Sequence, residues 1–129
     1  MTKKTGNQEV STLFDTIIEA MHERKANHVV SIDFESIKSP VCDYFIIAQA
    51  ESNTQVAAIA DHVLDSVKQK TGKSALHQEG FENAQWILLD YFDVVVHIFQ
   101  SDYRRFYNLE GLWADATTVK HADTKVLKK

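Results

Sequence analysis

The sequence predicts an α/β domain: a mixed sheet of four or five strands with helices packed on it. Three stretches carry that prediction. Tyr44–Ala50 is apolar up to Gln49, the pattern of a central strand covered on both faces. Val56, Ile59, Ala60, Val63, Leu64 and Val67 recur at helical spacing and mark a second, amphipathic helix. Trp86–Phe99 reads as two strands, rich in β-branched and aromatic residues, joined by a turn near Tyr91-Phe92.

Taken in order, the chain opens with polar residues 1–9, expected to be a flexible N-terminus. Val10, Leu13, Phe14, Ile17, Ile18 and Met21 make one stripe and predict a helix from about Ser11 to Ala26. Val29–Phe34 alternates as a strand with one wetter face. Pro40 keeps Ser39 out of helical geometry and places a loop over 35–43. Glu51-Ser52-Asn53 caps the second helix, and Gly72 stops it. Ser74–Glu79 is a short edge-strand candidate. After the paired arms, Ser101 or Asp102 caps a short helix bearing Tyr103, Phe106, Tyr107 and Leu109, and Gly111 ends or bends it. Residues 10–113 are read as one domain and 114–129 as a flexible, lysine-ended polar tail.

Symmetric pairing of the two arms, with Asp90 opposite Asp93 and Trp86 opposite His97, gives two chemically distinct faces. Ile87, Leu89, Val94, Val96 and Ile98 form an aliphatic core face. Trp86, Leu88, Asp90, Asp93, Val95, His97 and Phe99 form a mixed apolar and polar face suited to contact with another macromolecule.

Composition narrows the class. A chain of 129 residues hides enough surface for a core without metal or disulfides, and its single cysteine, Cys42, suits a reducing compartment. Apolar runs fall short of the roughly 20 residues needed to cross a bilayer, so a cytoplasmic protein without membrane contact is expected. A net charge of −4 argues against nucleic acid as the primary partner, since phosphate binding draws on clustered Lys and Arg. The same charge suits a basic protein.

Patterns for chemistry are sparse. The sequence has no glycine-rich phosphate loop, no paired-cysteine zinc motif and no histidine pair at metal spacing, so no catalytic residue, metal or cofactor is assigned. The six histidines read as structural or surface groups; His97, between Val96 and Ile98, needs a hydrogen-bond partner if buried. Asp33 and Glu35, two apart at a strand end, leave one alternative: a metal-dependent nucleotidyl transferase. That chemistry also needs a Gly-Ser phosphate grip and a third carboxylate, and Ser52-Asn53 is not preceded by glycine.

Several blocks in order give the chain a family likeness. They are Cys42-Asp43-Tyr44-Phe45-Ile46-Ile47-Ala48, Ser52-Asn53-Thr54-Gln55-Val56, Ile59-Ala60-Asp61, Glu79-Gly80, Trp86-Ile87-Leu88-Leu89-Asp90-Tyr91, Asp93-Val94-Val95-Val96-His97 and Arg105–Trp113. Across Leu13–Trp113 the sequence resembles the ribosomal silencing factor family, also called the Iojap or RsfS-like family. It departs at Phe92, where the family often has glycine. The resemblance implies a nucleotidyltransferase-like fold without an active site and no enzymatic activity. It further implies binding to the large ribosomal subunit through the ribosomal protein called L-fourteen, a block on joining of the small subunit, and repression of translation. A homodimer and a role in large-subunit maturation are also implied. The expected docking surface comprises Trp86, Leu88, Asp90, Asp93, Val95 and His97 with the arm Leu109, Glu110, Leu112 and Trp113. Trp is enriched in binding hot spots, and the carboxylates complement a basic partner.

Overall fold

The computed structural model describes residues 2–34, 37 and 42–121, with side chains from Gln8 onward. Its elements run α1 (Thr2–Glu23), β1 (Asn27–Asp33), β2 (Tyr44–Ala50), α2 (Asn53–Thr71), β3 (His77–Glu79), β4 (Trp86–Asp90), β5 (Val94–Gln100), α3 (Ser101–Tyr107), α4 (Leu109–Leu112) and β6 (Thr117–His121). Six strands form one sheet in the order β3-β4-β5-β2-β1-β6. The β2–β5 pair is parallel and the other four are antiparallel. The mixed α/β class is as expected, with one strand more than the upper count.

The extra strand is β6, in a stretch expected to be flexible tail. Its residues are mostly exposed and carry no apolar alternation. It is held by a backbone ladder to β1, from Val29↔His121 to Asp33↔Thr117, and by Ser31 Oγ to His121 Nε2 at 2.9 Å. A ladder built from main-chain groups leaves no hydrophobic pattern to read. Residues 122–129 lie outside the described part, as do Pro40 and most of the 35–43 loop.

α1 also differs from expectation. It begins at Thr2, in the stretch read as a flexible N-terminus, rather than near Ser11. Once Val10, Leu13, Ile17 and Met21 are buried the costly helical nucleus exists, and polar residues before it add turns cheaply. The helix stops at Glu23 because Lys25 enters the left-handed region at φ 60, and the Ala26 N–H closes back on the Met21 carbonyl. A lysine there gives no glycine to flag the stop. α2 matches its expected caps: Ser52 accepts from the Gln55 N–H, and Gly72 closes the helix at φ 79.

The sheet separates two cores. α1 and α2 cover one face, where Leu13, Ile17, Val56, Ile59 and Val63 meet Ile46, Ile87, Leu89, Val94, Val96 and Ile98. The aliphatic face of the β4–β5 pair is thus buried as expected. On the opposite face Val30, Ile32, Phe34, Phe45, Ile47 and Phe99 lie with Leu109, and Trp113 packs against them.

The register within β4–β5 needs correction. Trp86 pairs with Phe99 and Asp90 with Val95, two residues away from the expected partners. An even slip leaves every side chain on its face, so the division into faces stands. The turn is centred on Phe92-Asp93. Tyr91 and Val94 remain bonded, the Asp93 N–H reaches the Tyr91 carbonyl at 2.9 Å, and the Asp90 carboxylate accepts from the Phe92 N–H at 2.7 Å. Phe92 sits at φ 76 with the three-residue bonding of a γ-turn.

Candidate partner-binding surface

Trp86 opens β4 on the face away from α1 and α2, and three rings and one hydrogen bond fix its indole. It stacks on Phe99 at 5.1 Å between centroids and meets Tyr107 at 4.6 Å. Its Nε1–H donates to His97 Nδ1 at 3.1 Å. The residue stays half-buried. Directly behind it, Gly80 at φ 93 lets the β3–β4 loop pass against the Trp86 main chain. A Cβ on Gly80 would lie 2.0 Å from the Trp86 carbonyl oxygen.

His97 sits at the N–H edge of this ring and lies deeper in the fold. It is buried and meets Phe45 edge-on at 4.4 Å. Burial holds its imidazole down to about 3, so the ring is neutral near pH 7. Because Nδ1 accepts from Trp86, the proton is assigned to Nε2, which has no hydrogen-bond partner among the described residues. His97 therefore supports Trp86.

The other expected surface residues divide by position. Leu88, Asp90 and Val95 are half-buried along the same face of β4 and β5. Asp93 is half-buried in the turn, where burial and then the Asp43 carboxylate raise its pKa. Leu109 is buried, and Trp113 packs edge-to-face on Phe34 at 5.0 Å, so both anchor α4 to the sheet. Leu112 is 71% exposed. Glu110 points to a different neighbourhood and pairs with Arg104 at 2.7 Å.

Phe106 and Tyr107 were expected on one short helix, and both lie on α3. Their rings meet edge-on at 5.2 Å between centroids, but their exposure differs. Tyr107 covers Trp86, whereas Phe106 is 77% exposed. With Leu112, which was expected in the surface, it adds exposed apolar area on α3 and α4; Phe106 itself was not expected there.

Asn108 joins those two helices. It occupies the left-handed region at φ 47, closes α3 through its own N–H to the Arg104 carbonyl, and starts α4 by accepting from the Gly111 N–H. One residue therefore ends one helix and begins the next.

Other reactive side chains are subdued by burial. The Cys42 thiol and the Tyr91 hydroxyl are each pushed up to about 12. Asp33 ends β1, and Glu35, its partner in the nucleotidyl-transfer alternative, lies outside the described residues. Among the described residues no three His, Cys, Asp or Glu side chains are placed to hold a metal, and no helix is long and apolar enough to cross a membrane.

Fold and surface together define an α/β domain that presents a braced tryptophan beside carboxylates and exposed apolar side chains. A family model described as "Ribosomal silencing factor during starvation" matches residues 7–129. The ribosomal silencing factor RsfS of Halalkalibacterium halodurans is 44% identical over 115 residues, covering 89% of this chain and 94% of that one. Its Bacillus subtilis counterpart is 43% identical over 97 residues, covering 75% and 80%. A crystal structure of a Chromobacterium violaceum protein matches with a TM-score of 0.75 at 31% identity, over 81% of this chain and 85% of that one. This chain belongs to the ribosomal silencing factor family, which is named for regulating the ribosome and not for turnover of a substrate.

Proposed function

We propose that this protein binds the large ribosomal subunit through ribosomal protein L-fourteen, at the face that meets the small subunit. It thereby represses translation by keeping the subunits apart. The observation that carries this reading is the strip formed by Trp86, Leu88 and Val95, with Phe106 and Leu112 exposed on the neighbouring helices. An aromatic ring locked before binding loses little side-chain freedom on docking, which is how a hot spot gains affinity. Asp90 and Asp93 beside the strip favour a basic partner and steer its approach.

The inhibitory step needs no chemistry. A chain of this length has a radius of gyration of roughly 14 Å. A body of that size seated on a subunit-joining surface excludes the other subunit by volume. A site of the order of 800 Å² per partner is sufficient to hold it there. Self-association and help in large-subunit maturation, both implied by the family likeness, are further parts of the proposal.

Co-sedimentation with separated large and small subunits tests the reading. The protein is expected to travel with the large subunit and to lower the yield of joined particles. Trp86→Ala should weaken that association by about 2 kcal/mol. Normal folding with undiminished binding would remove Trp86 from the interface, and pelleting with neither subunit would end the proposal.

A further inference from the structure

A concavity lies across the molecule from β3, between α3 and the β1–β6 edge. It is an open recess of about 810 Å³. That is within the range of roughly 300–1,000 Å³ typical of small-molecule sites. Among the residues expected in the partner surface, only Glu110 lines it.

Arg104 builds the walls. The residue is 8% exposed, and its guanidinium reaches three separate elements. NH1 donates to the His28 carbonyl at 2.6 Å and to Gln49 Oε1 at 3.2 Å, while NH2 and Nε donate to the Glu110 carboxylate at 2.7 and 3.4 Å. These bonds fix the start of β1, the end of β2 and α4 around one space. They also hold His28 at φ 51, where the β1–β2 register shifts between Asn27 and Val30. Bulges and non-glycine residues at positive φ recur next to binding sites because they redirect side chains at a cost in strain.

Charge gives the cavity its preference. Arg104 and Glu110 neutralise each other. Arg105 and Lys120 line the same cavity, and neither has an ion-pair partner among the described residues. A chain of net charge −4 thus gathers two uncompensated cations in one recess. His28 and Ser101 also line the recess, whereas the His121 ring turns to Ser31 and Phe14 on the other face of the sheet.

We propose that this recess binds a phosphate-bearing ligand of nucleotide size, with Arg105 and Lys120 meeting the phosphate. Lysine and arginine are the side chains suited to phosphate oxygens, one as a point charge and the other as a fork. The phosphate has two possible sources, a free nucleotide or a strand of RNA, and both present the same oxygens. The proposal stands apart from the ribosome-docking strip, because the two surfaces use different side chains.

Calorimetric titration of the full chain with ADP, adenosine and a short single-stranded RNA tests it. ADP is expected to bind and adenosine to fail, with binding weakened by salt. Arg105→Glu or Lys120→Glu should each cost about tenfold in affinity. Both side chains are exposed, and circular dichroism checks that the variants fold. In the unaltered chain, amide shifts at His28 and Lys120 on addition of ADP read the site directly. RNA binding lost in both variants, without ADP binding, keeps the phosphate assignment and makes a strand the source. Equal binding of adenosine and ADP, no binding by ADP or RNA, or affinities unmoved by both charge reversals would overturn it.

Discussion

His97 shows how one buried group links a surface to stability. Its folded value of about 3 lies below the ordinary 6.5 because burial disfavours the charged ring. Between those values the unfolded chain takes a proton that the folded chain refuses. Falling pH therefore favours unfolding, and the stability contribution is fully present only above about 6.5. Urea denaturation of the natural chain should lose stability through this window, with a slope from His97 of at most about 1.4 kcal/mol per pH unit. His97→Phe should reduce that slope, leaving the smaller component from His121, which is also lowered by burial. An unchanged slope would mean that His97 is not buried neutral. Phe92 makes the opposite case, a residue where the native choice is costly. It is 70% exposed and sits at φ 76, so its ring gains little to offset a strained backbone. Phe92→Gly should raise stability by about 1 kcal/mol in chemical denaturation. A loss of stability would show that the ring packs in solution.

Asn108 sets the geometry between elements. Asn108→Ala removes a residue tolerant of left-handed backbone and the side-chain acceptor that starts α4. The expected cost is about 1–2 kcal/mol, concentrated in faster hydrogen exchange across residues 101–113 while α1 and α2 stay protected. Uniform exchange throughout the chain would show that these helices are not a separable layer. Legibility also varied by element. α2 was readable to its caps because a regular stripe, a serine and a glycine all pointed to the same ends. The start of α1 and the whole of β6 were not, since neither is decided by a buried pattern of its own. Within the candidate surface, Trp86 and its face were visible from alternation alone. The sorting of His97, Leu109 and Trp113 into supports, and of Glu110 into another cavity, depends on which layer covers each residue. A one-dimensional period carries no such information.

For the whole molecule, the two faces of the sheet divide the work. One is sealed by long helices and supplies most of the aliphatic core. The other is only partly roofed by α3 and α4, which leaves room for the tryptophan strip and for the Arg104-walled recess. The hydrophobic alternation of β4 and β5 revealed this division, whereas strand order did not follow from it. Most of all, nothing local in the sequence announces that Tyr44–Ala50 lies parallel to Val94–Gln100. That central seam has a temporal consequence. Antiparallel neighbours such as β4 and β5 meet through a short turn, but the two halves of the seam must find each other across roughly fifty intervening positions. Such closure loses chain entropy before any contact repays it. The seam is accordingly expected to form at the rate-limiting barrier, so that Ile46→Val slows refolding in stopped-flow measurements by nearly its full effect on stability. A nascent chain would then hold its first strand pair and first two helices without a closed core until residue 100 has emerged, leaving the apolar side of β2 waiting for its neighbour.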